Sequence, residues 1–329
     1  MKALVTGGAG FIGLFLARRL VDSGGRVDIV ESFARGVRDA DLEEVLSKSG
    51  VRLIERDLAR DDSLDGLDSD YEQIWHLAAI VGVRHVLGAP WDVLTRNVRM
   101  SEVALRFARL QRALRRFLFT STSEVYAGSL ERGQLPLPTP ESAPLICPDL
   151  ARARTSYLLS KIYGEAMCAA SGVPTTAFRP HNVYGPRMGM SHVIPELMDR
   201  ARKIEDGGSI EVFSVDHRRT FCYVDDAVEL MVRAADADAA RGAVLNVGQQ
   251  APEITIGELA AAVIAAVGKR LRIKPGPVTA GSPPRRAPDT TRIREVTGFT
   301  PQIDLDEGVR RTWAWYEARV FRDGGPSAR

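Results

Sequence analysis

"VTGGAGFIG", residues 5–13, decides the fold. It sets Gly7, Gly10 and Gly13 between a short apolar run, "KALVT", and an amphipathic stretch, "FIGLFLARRLVDSG". A tight turn, a close approach of backbone to a pyrophosphate and close packing of helix on strand each need a missing side chain, and the triplet supplies one at each place. The helix that follows aims its N-terminus at the phosphates. A glycine triplet alone also serves as a structural turn, so the surroundings decide. The next apolar run, "RVDIVE", ends at Glu31, where a carboxylate holds ribose hydroxyls and repels a 2′-phosphate. NAD is favoured over NADP on this ground. Arg35, four residues further on, is a group that could bind such a phosphate.

Outward from this turn, "VRLIERD", "QIWHLAA" and "RFLFTST" alternate with amphipathic stretches such as "RMSEVALRFARLQRAL". Such a βαβ series predicts an α/β fold with a doubly wound parallel sheet. Residues 128–150, rich in Pro and Leu, read as a loop; "ARARTSYLLSKIYGEAMCAASG" has helical periodicity with Gly172 as its stop, and "TTAFRPHNVYG" reads as a sixth strand. Beyond it the pattern loosens into shorter elements, with a Pro- and Gly-rich segment at 274–288 and a last helix around "LDEGVRRTWAWYEARVF". The expected division is a dinucleotide-binding domain over 1–178 and a smaller substrate lobe over 179–329, part of 210–250 returning to the first. The terminal "DGGPSAR" reads as frayed.

The 329 residues carry 44 basic and 42 acidic side chains without long blocks, which argues against nucleic acid or an anionic membrane as a partner. No apolar run reaches the roughly 18 residues of a membrane span, and "MKALVTGG" enters a strand directly, so a cytoplasmic protein is expected. Cys147, Cys168 and Cys222 are scattered and lack CxxC spacing. Neither a disulfide framework nor a metal site is expected from them.

Asp57, closing the third strand, is a candidate for the adenine edge, and "HLAA" (76–79) for the wall under a dinucleotide; solvated strand ends are the plain alternative for both. "TSTSEVYA", residues 120–127, puts hydroxyls and a carboxylate at the end of an apolar strand, where they either face a ligand or cap the next turn. In "YLLSK", Tyr157 and Lys161 stand four apart on one helix face. A free phenol titrates near ~10. Acting as a base at neutral pH takes a shift of roughly 4 kcal/mol; a lysine ammonium about 5 Å away contributes on the order of 3 kcal/mol at an effective dielectric near 20 and the positive nicotinamide ring of an oxidised cofactor adds to it, so the pair is nearly sufficient to make a phenolate.

"TGGAGFIG", "HLAA", the hydroxyl strand end, "YLLSK", "FRPHNVYGPR", "RRTFCYVDD" and "TGFTP" stand in an order that resembles the extended short-chain dehydrogenase/reductase family of nucleotide-sugar epimerases, dehydratases and decarboxylases. The resemblance implies a Rossmann-type domain with a C-terminal substrate lobe, bound NAD and a nucleotide-sugar substrate, a UDP-sugar foremost. It implies that Thr122 hydrogen-bonds the sugar hydroxyl, that Tyr157 removes its proton, and that Lys161 and Glu124 share in catalysis. Gly7, Gly10, Phe11, Ile12, Gly13, Glu31, Asp57, Leu58, Leu77, Ala78, Ala79 and Asn97, with Tyr157 and Lys161, are the implied cofactor residues. Ser123, Asn182, Arg187, Arg219 and Arg286 are the implied substrate residues, Asn182 and Arg219 on the diphosphate with Arg187 close by. Ala127 departs from the family's usual Gly after "VY". "TSE" and "RRAPD" are similar to the UDP-glucuronate decarboxylases, where such an arginine lies beside the substrate carboxylate, while "GMSHVIPEL" looks more like an epimerase; a 4,6-dehydratase and an NAD-binding sensor or scaffold stand behind these. The stretches 92–114 and 151–171 resemble a pair of helices that forms a dimer interface, so a homodimer is expected.

Overall fold

The computed structural model describes residues 1–279 and 282–322; the "DGGPSAR" segment lies outside them. Seven strands form one parallel sheet: β1 (Lys2–Thr6), β2 (Arg26–Glu31), β3 (Val51–Glu55), β4 (Gln73–His76), β5 (Arg116–Thr120), β6 (Thr175–Pro180) and β7 (Val244–Val247). Their spatial order is β7-β6-β5-β4-β1-β2-β3. The chain therefore runs outward from β1 in one direction and returns to start β4 on the other side of β1. That reversal opens a crevice beyond the C-terminal ends of β1 and β4, the place where open parallel sheets bind ligands. The central strands are apolar on both faces, with Leu4, Val5, Ile74, Trp75, Phe117 and Leu118 fully buried, because helices cover both sides.

The helices used below are α1 (Phe11–Asp22), α2 (Ala40–Leu46), α3 (Pro90–Arg109), α4 (Thr155–Ala170), α5 (Val193–Lys203), α6 (Val224–Asp236), α7 (Ile256–Ala266) and α8 (Leu305–Tyr316). Helix α3 ends five residues before the expected 114, since β5 begins at Arg116 and a connection is needed. Helix α4 ends before Gly172, whose φ of 72° is the left-handed conformation a helix stop favours. Helix α6 lies against α1, joined by an Arg19–Glu229 ion pair of 2.8 Å, and β7 pairs with β6. One helix and one strand beyond residue 178 thus complete the first layer.

The rest of the C-terminal half builds a smaller lobe from α5, α7, α8 and short strands. Ile254–Thr255 and Arg285–Arg286 flank Arg218–Arg219, and Ser209–Val212 pairs with Arg272–Pro275. Thr255 starts α7 with a capping box to Glu258, so the helix leaves this small sheet in a defined direction. Among the described residues no helix is long and apolar enough to cross a membrane.

Helix α4 approaches β5 closely because position 164 is glycine. A Cβ there would lie 2.2 Å from Cζ of Phe119, a ring that is 1% exposed and has nowhere to move. Gly164→Ala is expected to push the helix off the sheet at a cost of about 1–3 kcal/mol, read as a lower Tm. An unchanged Tm would show that the approach is not tight.

Candidate active site

The glycine turn at the end of β1 is built by sterics. Gly7 has φ 75°, and a Cβ on it would stand 2.8 Å from the Ala78 nitrogen; one on Gly13 would stand 2.2 Å from the Gly7 carbonyl oxygen. At Gly10, by contrast, an added Cβ would meet only the Gly7 oxygen, so that side of the turn is open to the crevice. Gly10 is also the N-cap of α1, with no side-chain cap and no acidic residue in the first turn, where Phe11 and Ile12 stand. Uncapped first-turn N–H groups and open space suit a diphosphate. Glu31 is buried and accepts hydrogen bonds from the amides of Ser32 (2.9 Å), Phe33 (3.0 Å) and Ala9 (3.3 Å). A carboxylate has about four acceptor sites, so Glu31 ties β2 to the glycine turn and keeps capacity for a ribose hydroxyl. These residues fit NAD.

The remaining cofactor candidates divide. Leu77 and Ala78 are pinned by their amides to the Thr6 carbonyl (3.1 Å) and hydroxyl (3.3 Å) and, with Ala79, continue β4 into the crevice wall. Asp57 accepts from the Ala59 amide (3.0 Å) and from Arg96 (2.7 Å); burial opposes them, yet together they hold its carboxyl below the usual range. Leu58 is buried in the core beside it. Asn97 is a brace: its amide accepts from Ile80 N (2.7 Å) and donates to Ile80 O (3.1 Å) and Ser160 (3.2 Å), locking the loop after β4 to α4.

At the end of β5 the structure brings together Thr122, Glu124 and Tyr157. The Thr122 hydroxyl accepts from the Glu124 amide (3.2 Å) and caps the short turn Ser123–Tyr126, in which Ser123 is buried; of the two sequence alternatives this is the capping one. Burial pushes the Tyr157 phenol up to about 12, with Glu124 adding to the rise and Thr122 and Arg35 opposing it. Lys161 does not act on Tyr157 in the expected way. Its Nζ donates to the Thr120 carbonyl (2.7 Å) over the Phe119 ring, and burial lowers its pKa to about 8. Four-residue spacing puts both side chains on one face, but the lysine's nearest strong acceptor is the end of β5. Tyr157 thus needs more positive charge than the free protein's lysine gives it.

Of the substrate candidates, Asn182 and Arg219 line one cavity of about 320 Å³ together with Glu196, Arg200, Phe213 and Ser282. Asn182 donates to the Thr220 carbonyl (2.9 Å), and Arg219 to the Pro283 carbonyl (2.6 Å) and the Ser282 hydroxyl (3.1 Å). The parallel pairing of strands sets Arg286 opposite Arg219. Arg286 in turn meets Glu124 at 3.0 Å. Burial, then the charge of Arg286, lowers Arg219 to about 10. Arg187 is elsewhere: buried, it forks onto Asp39 (2.8 and 3.1 Å) and donates to the carbonyls of Gly10 (3.3 Å), Ala9 (3.4 Å) and Val37 (3.1 Å). It is a bracket behind the glycine turn, with its donors spent there, and not a neighbour of the Asn182–Arg219 cavity. Glu196, Arg200 and Phe213 went unread because α5 and the "IEVF" strand look like ordinary amphipathic elements; only their convergence makes a cavity. A larger hollow of about 480 Å³, between the end of α4 and the β6–β7 edge, contains none of the predicted site residues.

A profile of the NAD dependent epimerase/dehydratase family matches residues 3–248. The chain is 30% identical over 329 residues to a UDP-N-acetyl-alpha-D-glucosaminuronate decarboxylase of Bacillus cytotoxicus, covering 96% of this chain and 97% of the relative. It is 31% identical over 326 residues to a UDP-glucose 4-epimerase of Mycolicibacterium smegmatis, with 95% and 97% covered. A crystal structure of a UDP-galactose 4-epimerase superposes with a TM-score of 0.77 at 28% identity, covering 97% of this chain and 99% of that one.

The depressed Lys161 pKa has a pH consequence. An unfolded lysine releases its proton near ~10.4, the folded one at about 8, so between these values the unfolded chain binds the extra proton and stability rises with pH. Relative to Lys161→Met, the wild-type protein is expected to gain stability from about pH 8 to about pH 10. Urea melts of both proteins across that range check it; a constant difference would contradict it.

Proposed function

The chain belongs to the NAD dependent epimerase/dehydratase family, and we propose that it decarboxylates a UDP-linked uronic acid, UDP-glucuronate first, by transient oxidation at sugar C4. The observation that carries this reading is the Arg286–Glu124 pair at 3.0 Å, next to Arg219 and within the electrostatic reach of Tyr157. Arg219, Arg285 and Arg286 stand with two carboxylates, Glu253 on Arg285 and Glu124 on Arg286, a charge excess that suits an anionic substrate. Planar guanidinium forks bind phosphate and carboxylate alike. The decarboxylase relatives support the choice.

The residues divide the work as follows. Asn182 and Arg219 hold the diphosphate, and Arg286 leaves Glu124 to hold the uronate carboxylate. Thr122 orients the C4 hydroxyl, and Tyr157 takes its proton. The glycine turn and Glu31 would hold NAD, which would supply the hydride acceptor at C4 and, for the return, the donor. The C4 ketone makes the substrate a β-keto acid: the C5–C6 bond breaks, carbon dioxide leaves, and the electron pair passes to the C4 oxygen. C5 takes up a proton that comes from solvent, and Glu124, freed from Arg286, relays it there from a water molecule; the reaction as a whole consumes that one proton. A second reading, 4-epimerisation, is favoured by the full-length epimerase relatives and needs no carboxylate partner for Arg286.

UDP-glucuronate incubated with the protein is expected to yield a product lighter by carbon dioxide. Arg286→Ala is expected to lower that activity about 30-fold to several thousandfold, as loss of one partner of a buried charged pair costs roughly 2–5 kcal/mol. Tyr157→Phe should abolish turnover. Mass spectrometry decides: unchanged mass with a new galacturonate signal by NMR selects the epimerase, and loss of water selects a dehydratase.

The partner we propose is a second copy of the chain. Helices α3 and α4 pack side by side and expose Trp91 (74%) and Tyr163 (54%), large apolar groups that a paired helix layer would cover. Light scattering at micromolar concentration is expected to give twice the 36.0 kDa chain mass; a monomer would reject the interface. The free thiols of Cys147, Cys168 and Cys222 fit a reducing compartment, the cytoplasm.

A further inference from the structure

Arg35 lies across the crevice. It leaves the loop that follows β2, yet its guanidinium reaches the loop that follows β4. An added Cβ on Gly82 would stand 3.2 Å from its Nη1 and 3.4 Å from its Nη2. Strands β2 and β4 flank β1 on either side, so a side chain joining their loops passes over the end of β1, where the glycine turn and the N-terminus of α1 open. Gly82 keeps φ 99° and offers no side chain in the way.

Among the described residues Arg35 takes part in no ion pair, whereas Arg187, on the other side of the same turn, is forked onto Asp39. The residue as a whole is exposed, but partial burial lowers the guanidinium pKa, with Tyr157 opposing, and His192 at the start of α5 is lowered by its own burial first and by the charge of Arg35 second. A positive head group in the crevice, with no ion-pair partner among the described residues, has its donors open to water or to an anionic ligand.

We infer that Arg35 is the counter-ion of the cofactor's diphosphate, closing from above the cradle that Gly10 and the first turn of α1 form from below. The sequence pointed to Arg35 as a possible reader of a 2′-phosphate; its reach over β1 toward Gly82 assigns it to the phosphates at the centre of the dinucleotide instead. Uncapped helix N–H groups recognise the diphosphate by hydrogen bonds, and a guanidinium adds a bidentate, charge-assisted contact. The inference rests on the chain's dependence on NAD and is independent of which sugar reaction follows.

The test is calorimetric binding to nucleotide-free full-length protein of NAD, ADP-ribose, NADP and adenosine. Wild-type binding of NAD checks the cofactor premise by itself. Arg35→Gln is expected to weaken NAD and ADP-ribose by about ten- to hundredfold, to leave adenosine within about twofold, and to reduce the salt dependence of NAD affinity. Arg35→Lys, which keeps the charge, should recover part of the loss. Equal losses for adenosine and ADP-ribose would mean a disturbed loop and overturn the inference, as would unchanged NAD affinity. Wild-type NADP binding as tight as NAD, with the variant losing NADP selectively, would assign Arg35 to the 2′-phosphate and overturn it too.

Discussion

The close approach between the first residue of the glycine turn and the first turn of α1 sets the geometry of everything at the crevice. With no Cβ at Gly13, α1 comes down onto the Gly7 carbonyl, and a methyl group there would overlap it at 2.2 Å. That contact aims the helix N-terminus out of the sheet and leaves its first amides to a ligand. Two brackets hold the turn in place from behind. Glu31 ties it to the end of β2, and Arg187 reaches over from the smaller lobe to the carbonyls of Ala9 and Gly10. The second contact makes the cofactor cradle depend on how the two lobes pack.

A comparable set of constraints holds α4 to the end of β5. Lys161 grips the Thr120 carbonyl, the Ser121 hydroxyl bonds Glu165, and Glu165 forks onto the buried Arg179 of β6 (2.9 and 2.6 Å). Residues 157, 161 and 165 follow one another at one-turn spacing along the helix, so the tyrosine sits at the end of a row whose other two members are anchored. Gly164 lets the row approach the strand. Rigid support of this kind keeps a phenol at a fixed place beside Thr122.

Charge in the crevice is unbalanced in one direction. Arg35 has no ion-pair partner among the described residues, and Arg219 stands opposite Arg286 with Glu124 paired to Arg286 and Glu253 to Arg285. Each carries a desolvation or repulsion cost that an anionic ligand would relieve. Tyr157, raised to about 12 by burial, needs the same positive surroundings to lose its proton. The protein without ligands is therefore an electrostatically unfinished object, and a dinucleotide with a nucleotide sugar supplies charges of the sign it lacks.

The sequence by itself determined what depends on local spacing. Glycines at 7, 10 and 13, short apolar runs separated by amphipathic stretches, and Gly172 after a periodic segment specify a parallel sheet, a phosphate-sized turn and a helix stop, because sterics and periodicity act over a few residues. The tertiary structure alone decided where the long cations go. Lys161 turns to the Thr120 carbonyl, Arg187 leaves the substrate side for the glycine turn, and Arg286 meets Arg219 through a pairing of strands 67 positions apart in the chain. Arginine and lysine have many rotamers and take whichever buried acceptor the fold brings within reach. Their spacing in the chain does not encode that acceptor, so their roles became readable only once the strands and lobes were in place.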